Sequence, residues 1–144
     1  MPACPFCRIV AGELDANRLY EDELTVAFLD ENPAARGHLL VVPRAHLEHL
    51  FADDESVPAA VFRTVHRLAM ALDRVLAPDG ISLFYTSAEL VGSVTHAHVH
   101  VVPRYEGDPI HLALERRSLD ADADELAARI RRNVRVVGDS AGPT

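Results

Sequence analysis

Across Ser56–Leu76 the apolar residues Val61, Val65, Leu68, Leu72, Val75 and Leu76 recur at helical spacing, with Arg63, His66, Arg67 and Arg74 mostly elsewhere around the helix. Pro78-Asp79-Gly80 ends the pattern. Thr25-Val26-Ala27-Phe28-Leu29 reads as a strand closed by Asp30-Glu31-Asn32-Pro33, and residues 38–42 read as a second strand closed by Pro43. Residues 81–85 and 94–102 predict two more. Leu126, Ile130 and Val134 mark a carboxy-terminal amphipathic helix. The order β-β-α-β-β-α, with strands close together in pairs, predicts a mainly antiparallel α+β sheet rather than a doubly wound one.

The length of 144 residues suits one core, so residues 1–137 are expected as a single domain and residues 138–144 as a frayed, disordered tail. A net charge of -8 argues against a nonspecific nucleic-acid surface or an anionic-membrane surface, so any phosphate must be held locally. All 14 basic residues are arginine. A salt-adapted surface and a GC-rich genome both account for that. No secretory pattern opens the chain and no stretch reaches the roughly 20 apolar residues of a membrane span, so a cytoplasmic protein is the expectation. Two cysteines in that setting suggest a metal site or a redox pair.

The run His96-Ala97-His98-Val99-His100-Val101-Val102-Pro103 carries the strongest chemical signal. On a strand, alternate side chains share a face, so three imidazoles would stand in one row, spaced about 6–7 Å apart, with Ala97, Val99 and Val101 turned to a core. Imidazole transfers protons near neutrality and also serves as a nucleophile. A histidine-rich surface strand and a metal-only cluster are the competing readings. Cys4-Pro5-Phe6-Cys7 can clasp one zinc ion but needs two further ligands; a redox pair competes, without the βαβ context such a pair usually has.

This run resembles the His-φ-His-φ-His-φ-φ signature of the histidine triad (HIT) superfamily, where φ is apolar. Further blocks are similar in the same order: Cys4 to Glu13, Tyr20-Glu21-Asp22, Ala27-Phe28-Leu29-Asp30, Gly37 to His46, and Pro103-Arg104-Tyr105. The resemblance implies a five-stranded antiparallel sheet with one long and one carboxy-terminal helix, paired as a homodimer. It implies that His98 is the nucleophile toward the α-phosphorus of a nucleotide, that His100 and His38 bind phosphate oxygens and orient His98, and that Asp30 holds the ribose. Phe28 and Leu14 would wall the base, and Ser93 would meet the phosphate. In the branch with an amino-terminal Cys-x-x-Cys pair, it implies a structural zinc on Cys4, Cys7, His46 and His96, with no catalytic cofactor. His49 is a rival ligand by spacing, whereas the family block points to His46.

Before the triad the family usually shows an asparagine and then Gly-Gln-Ser/Thr-Val-x-His. Here Tyr85 stands at the asparagine, Val91 at the glycine and Gly92 at the glutamine, while Ser93 keeps its place. The expected activity is hydrolysis of nucleoside 5′-phosphoramidates or related AMP conjugates, with purine nucleotide (AMP-type) partners. A dinucleoside polyphosphate hydrolase and a non-catalytic, zinc-stabilised nucleotide-binding protein are the alternatives.

Overall fold

The computed structural model describes residues 4–51, 54–87 and 94–134. Ser93 and Gly92, like the tail at 138–144, lie outside the described residues. The chain divides into two compact units, Met1–Ile110 and His111–Thr144.

The first unit contains helix α1 (Pro5–Val10), strands β1 (Arg18–Glu21), β2 (Thr25–Leu29) and β3 (Leu39–Pro43), helix α2 (Ser56–Leu76), and strands β4 (Gly80–Phe84) and β5 (Val99–Arg104). The five strands form one antiparallel sheet in the order β1-β2-β3-β5-β4. β3 lies at its centre, and its apolar run Leu39-Leu40-Val41-Val42-Pro43 is buried throughout because both faces of the sheet are covered. Alternation then sorts the side chains. Ala27, Leu39, Val41, Val99 and Val101 pack with Val61, Val65, Leu68 and Leu72 of α2, whereas Val26, Phe28, Leu40 and Val42 pack with Ile9 on the other face.

α2 forms where its periodicity predicts, and Val61, Val65, Leu68 and Leu72 are its buried stripe. Its stop is Ala77, which enters the left-handed region at φ 46° and donates its N–H to Asp73 O at 3.0 Å. Thr25 and Thr64, both fully buried, share a 2.8 Å hydroxyl hydrogen bond that ties β2 to α2. Gly37 has φ +91°, and a Cβ there would stand 2.6 Å from Leu76 Cδ1. Glycine is therefore required both by the backbone and by the close approach of α2.

The expected strand over 94–102 is shorter than its pattern suggests: β5 begins at Val99. Ala97 gives its N–H to Leu47 O at 2.7 Å instead of to a neighbouring strand, and His96 turns inward to the carbonyl of Pro43. The histidines therefore do not form one straight row. Ala97, Val99 and Val101 do face the core, as alternation requires. α1 and β1 were not marked by periodicity. With six and four residues they are too short to show it.

The second unit holds helix α3 (Ala123–Asn133), with Asp124 and Glu125 in its first turn and Arg131 and Arg132 in its last, a charge order that complements the helix dipole. None of its residues is buried. No described helix is long and apolar enough to cross a membrane.

Candidate active site and metal clasp

α1 begins at Cys4, whose Sγ caps the helix by accepting the N–H of Cys7 at 3.4 Å. Three residues apart, the two thiols lie on one side of the first turn and meet two imidazoles. Cys4 Sγ is 3.5 Å from His96 Nδ1, and Cys7 Sγ is 3.2 Å from His46 Nδ1 and 3.5 Å from His96 Nδ1. All four donor atoms lie within 4.8 Å of one another. Ligands of a tetrahedral zinc, at about 2.3 Å for sulfur and about 2.0 Å for nitrogen, stand about 3.5 Å apart, so the spacing fits. The donor chemistry fits as well. His96 Nε2 donates to Pro43 O at 2.7 Å, which leaves the Nδ1 lone pair for a metal. Burial, then the hydrogen bond and charge of Cys4, raise the Cys7 thiol above its usual value, a cost that a divalent cation between the sulfurs would relieve. His49 is exposed and stands outside this cluster.

The carbonyl of the same residue, His96, accepts the Nδ1–H of His98 at 2.8 Å. That bond fixes the tautomer of His98 and leaves its Nε2 as the lone-pair nitrogen. Phe6 holds the ring from the side, edge-on at 5.1 Å between centroids. His100 lies next along, 4.9 Å from His98 ring to ring.

A second relay fixes His100. The N–H of Ala34 donates to His38 Nδ1 at 2.9 Å, so the proton of His38 sits on Nε2 and points to His100 Nδ1, also at 2.9 Å. His100 then carries its own proton on Nε2. Asp30 Oδ2 stands 3.4 Å from His38 Nε2 and 3.9 Å from His100 Nδ1. These three donor atoms also converge, but an Nε2 that carries a proton has no lone pair for a cation, so the trio works as a hydrogen-bond relay. Burial, followed by the neighbouring His98 and His38, lowers the pKa of His100 to about 4, against the opposing pull of Asp30. Burial lowers His38 as well. Both imidazoles are neutral at physiological pH.

His98 and His100 open onto a cavity of about 630 Å³. Phe6, Ile9, Leu14, Phe28 and Leu40 give it apolar walls, and Asp30, Asn17 and Asn32 add polar groups. Strand register orients it: His100 pairs with Leu40, Leu40 with Phe28, and Phe28 with Arg18. The two interstrand steps from His100 to Phe28, both of which line the cavity, span about 10 Å. Asp30 follows β2 directly. Its Oδ1 accepts Asn32 N–H at 2.9 Å, and carboxylate lone pairs remain for further donors.

Every described residue of the expected site is thus brought to one of two adjoining clusters, although His38 is buried behind His100 with both ring nitrogens engaged and does not line the cavity. Phe6 was missed by sequence reasoning. Its place between the two cysteines is the signal the sequence holds for it, and there it coincides with the metal motif. Tyr85, in the family's asparagine position, turns away from the cavity: its hydroxyl accepts Leu50 N–H at 2.9 Å, and its ring meets Phe51 edge-on at 5.3 Å. It anchors the loop that follows His46.

The HIT domain family model matches residues 11–107. The chain belongs to the HIT family. Membership places it among nucleotide-binding hydrolases and transferases. Among the relatives of this HIT protein, one from Arabidopsis thaliana named adenylylsulfatase HINT3 is 34% identical over 136 residues, spanning 91% of this chain and 69% of the relative. A crystal structure of a HIT-family member from Bacillus subtilis has a TM-score of 0.83 at 29% identity, covering 93% of this chain and 99% of that one. The Zn-bound histidine triad family protein from Mycobacterium smegmatis has a TM-score of 0.70 at 35% identity, covering 90% and 91%. A zinc-bound relative and the four-ligand cluster here agree with a structural zinc site.

Proposed function

We propose that this HIT protein hydrolyses purine nucleoside 5′-phosphoramidates or related AMP conjugates through a nucleotidyl-histidine intermediate. The observation that carries the reading is the Nδ1–H bond from His98 to the His96 carbonyl, which leaves the His98 Nε2 lone pair in a cavity shared with His100. In the first step Nε2 of His98 forms a bond to the α-phosphorus while the bond to the leaving group breaks, and the departing amine takes up a proton from solvent. In the second, a water oxygen bonds to the phosphorus as the P–Nε2 bond breaks, the water gives up one proton to solvent, AMP departs and the His98 Nε2 lone pair is restored.

His100, neutral and protonated on Nε2, donates to a non-bridging oxygen, where negative charge grows in the transition state. His38 acts through His100 and is a positioning residue. Asp30 accepts from the ribose hydroxyls, while Phe28 and Leu14 wall the base. Ser93 is assigned to the phosphate or leaving group. Cys4, Cys7, His46 and His96 would hold zinc, whose contribution is a cross-link: four protein ligands leave no open position for water. The name of the Arabidopsis relative denotes chemistry on an AMP conjugate, which supports this class of substrate.

One feature favours a second reading. Gly92 stands where the family has a glutamine that bonds the phosphate or leaving group, so a slow or purely nucleotide-binding protein is the alternative. Mixing with an adenylate donor and measuring intact mass decides between them. Capture of one AMP per chain, mapped to His98, supports catalysis; no capture despite AMP binding supports the alternative. The homodimer is part of the same proposal: β4 is an edge strand and Leu83 on it is 47% exposed. Sedimentation equilibrium tests it.

A further inference from the structure

We propose that occupancy of the Cys4, Cys7, His46 and His96 clasp sets the affinity of the cavity for nucleotide, with Phe6 as the joint between the two. The inference rests on the nucleotide reading above and adds a linkage to it.

α1 has six residues, too few to be stable by its own hydrogen bonds. Its two ends are tethered differently. At the carboxy-terminal end the Arg18 guanidinium donates to Ile9 O and Val10 O, and the N–H groups of Glu13 and Leu14 return to Arg8 O at 2.9 and 3.2 Å. At the amino-terminal end, among the described residues, the hydrogen-bond contacts that join the first turn to the rest of the chain are those of the two thiols with His46 and His96. Without a metal such contacts are weak, since sulfur is a poor hydrogen-bond partner.

Phe6 sits inside that first turn, between the two cysteines. Its ring meets Phe28 at 5.5 Å and His98 at 5.1 Å, both edge-on, and it lines the cavity. Ile9, one turn later, lines the same cavity but belongs to the end held by Arg18. Metal binding therefore pins Phe6 against the base wall and the nucleophile, whereas metal loss frees the first turn and leaves Ile9 in place. Coupling of this kind is reciprocal: nucleotide packed against Phe6 must tighten the metal by the same factor.

The test uses the full chain, zinc-loaded and chelator-stripped, titrated with AMP by calorimetry, together with zinc affinity from a competing chelator with and without saturating AMP. Losing an aromatic wall should cost about tenfold in AMP affinity on stripping, with an equal gain in zinc affinity when AMP is present. Zinc-loaded Phe6→Ala should bind AMP like the stripped protein and show no coupling. Ile9→Ala should weaken AMP in both states and keep the coupling. Equal AMP affinity with and without zinc overturns the inference and leaves the nucleotide reading standing. Coupling that persists in Phe6→Ala also overturns it, because the metal then acts through the fold as a whole, including the case in which the stripped chain unfolds by circular dichroism. No AMP binding to the zinc-loaded chain removes the nucleotide reading itself, and the linkage with it.

Discussion

His38 donates through Nε2 to Nδ1 of His100 over 2.9 Å, and the backbone N–H of Ala34 sets the direction of that donation. His100 is thereby held as a neutral donor toward the cavity. Substituting His100 by alanine should slow AMP capture by about 10² without moving its site, measured by quenched-flow and peptide mapping. Alanine at His98 should abolish capture with zinc content and AMP binding kept. AMP found on His100 or His38 in the wild type would overturn the assignment of the nucleophile.

The low pKa of His100 makes stability depend on pH with a definite sign. The folded protein takes up this proton at about 4, whereas the unfolded chain does so near the ordinary value of 6.5. Between those values the unfolded state binds more protons, so stability is fullest above about 6.5 and declines as pH falls toward about 4. Burial of His38 adds in the same direction. Chemical denaturation of zinc-loaded wild type and His100→Asn at pH 7.0 and 5.5 should show the larger loss in the wild type; equal losses would mean that His100 titrates normally.

Asp30 lines the cavity, its Oδ2 3.9 Å from His100 Nδ1. Asp30→Ala should weaken AMP by roughly tenfold and leave inorganic phosphate nearly unchanged, as read by calorimetry. A matching loss for both ligands would make Asp30 a partner of the His38 relay alone.

Removal of one thiol tests the metal. Cys4→Ala should lower bound zinc well below one per chain and reduce the thermal midpoint by roughly 5–10 °C. Wild type that carries no zinc after purification in metal-replete medium would reject the clasp.

Gly37→Ala combines a left-handed backbone with a methyl 2.6 Å from Leu76 Cδ1, 3.2 Å from Leu72 Cδ2 and 3.2 Å from Pro103 Cγ. A loss of roughly 1–3 kcal/mol in urea unfolding is expected. An unchanged midpoint would show that α2 yields at its last turn.

Long, periodic elements were legible: α2 and β2 begin and end where their patterns do, because an apolar stripe leaves a regular trace, although Val75, part of the expected α2 stripe, is exposed at the last turn. α1 and β1 left none, being short and mostly unburied, and the count of five strands came from the family resemblance. The triad was legible as a family motif but not as geometry. The alternating pattern runs back to residue 94, whereas the fully buried His96 spends its ring on Pro43 O and breaks the ladder three residues before β5. Phe6 escaped notice because a metal motif and a cavity wall share the same six-residue helix.

The register that aligns His100, Leu40 and Phe28 across the sheet works as a ruler for the cavity. Its graduations are strand spacings, so the distance from His100 to Phe28 is fixed by backbone hydrogen bonds rather than by any one side chain. Wall residues can be exchanged for others of similar size without changing that distance. One residue inserted within β3 would instead turn Leu40 to the α2 face and shift Leu39 or Val41 into its place, undoing the core and the cavity floor in a single step.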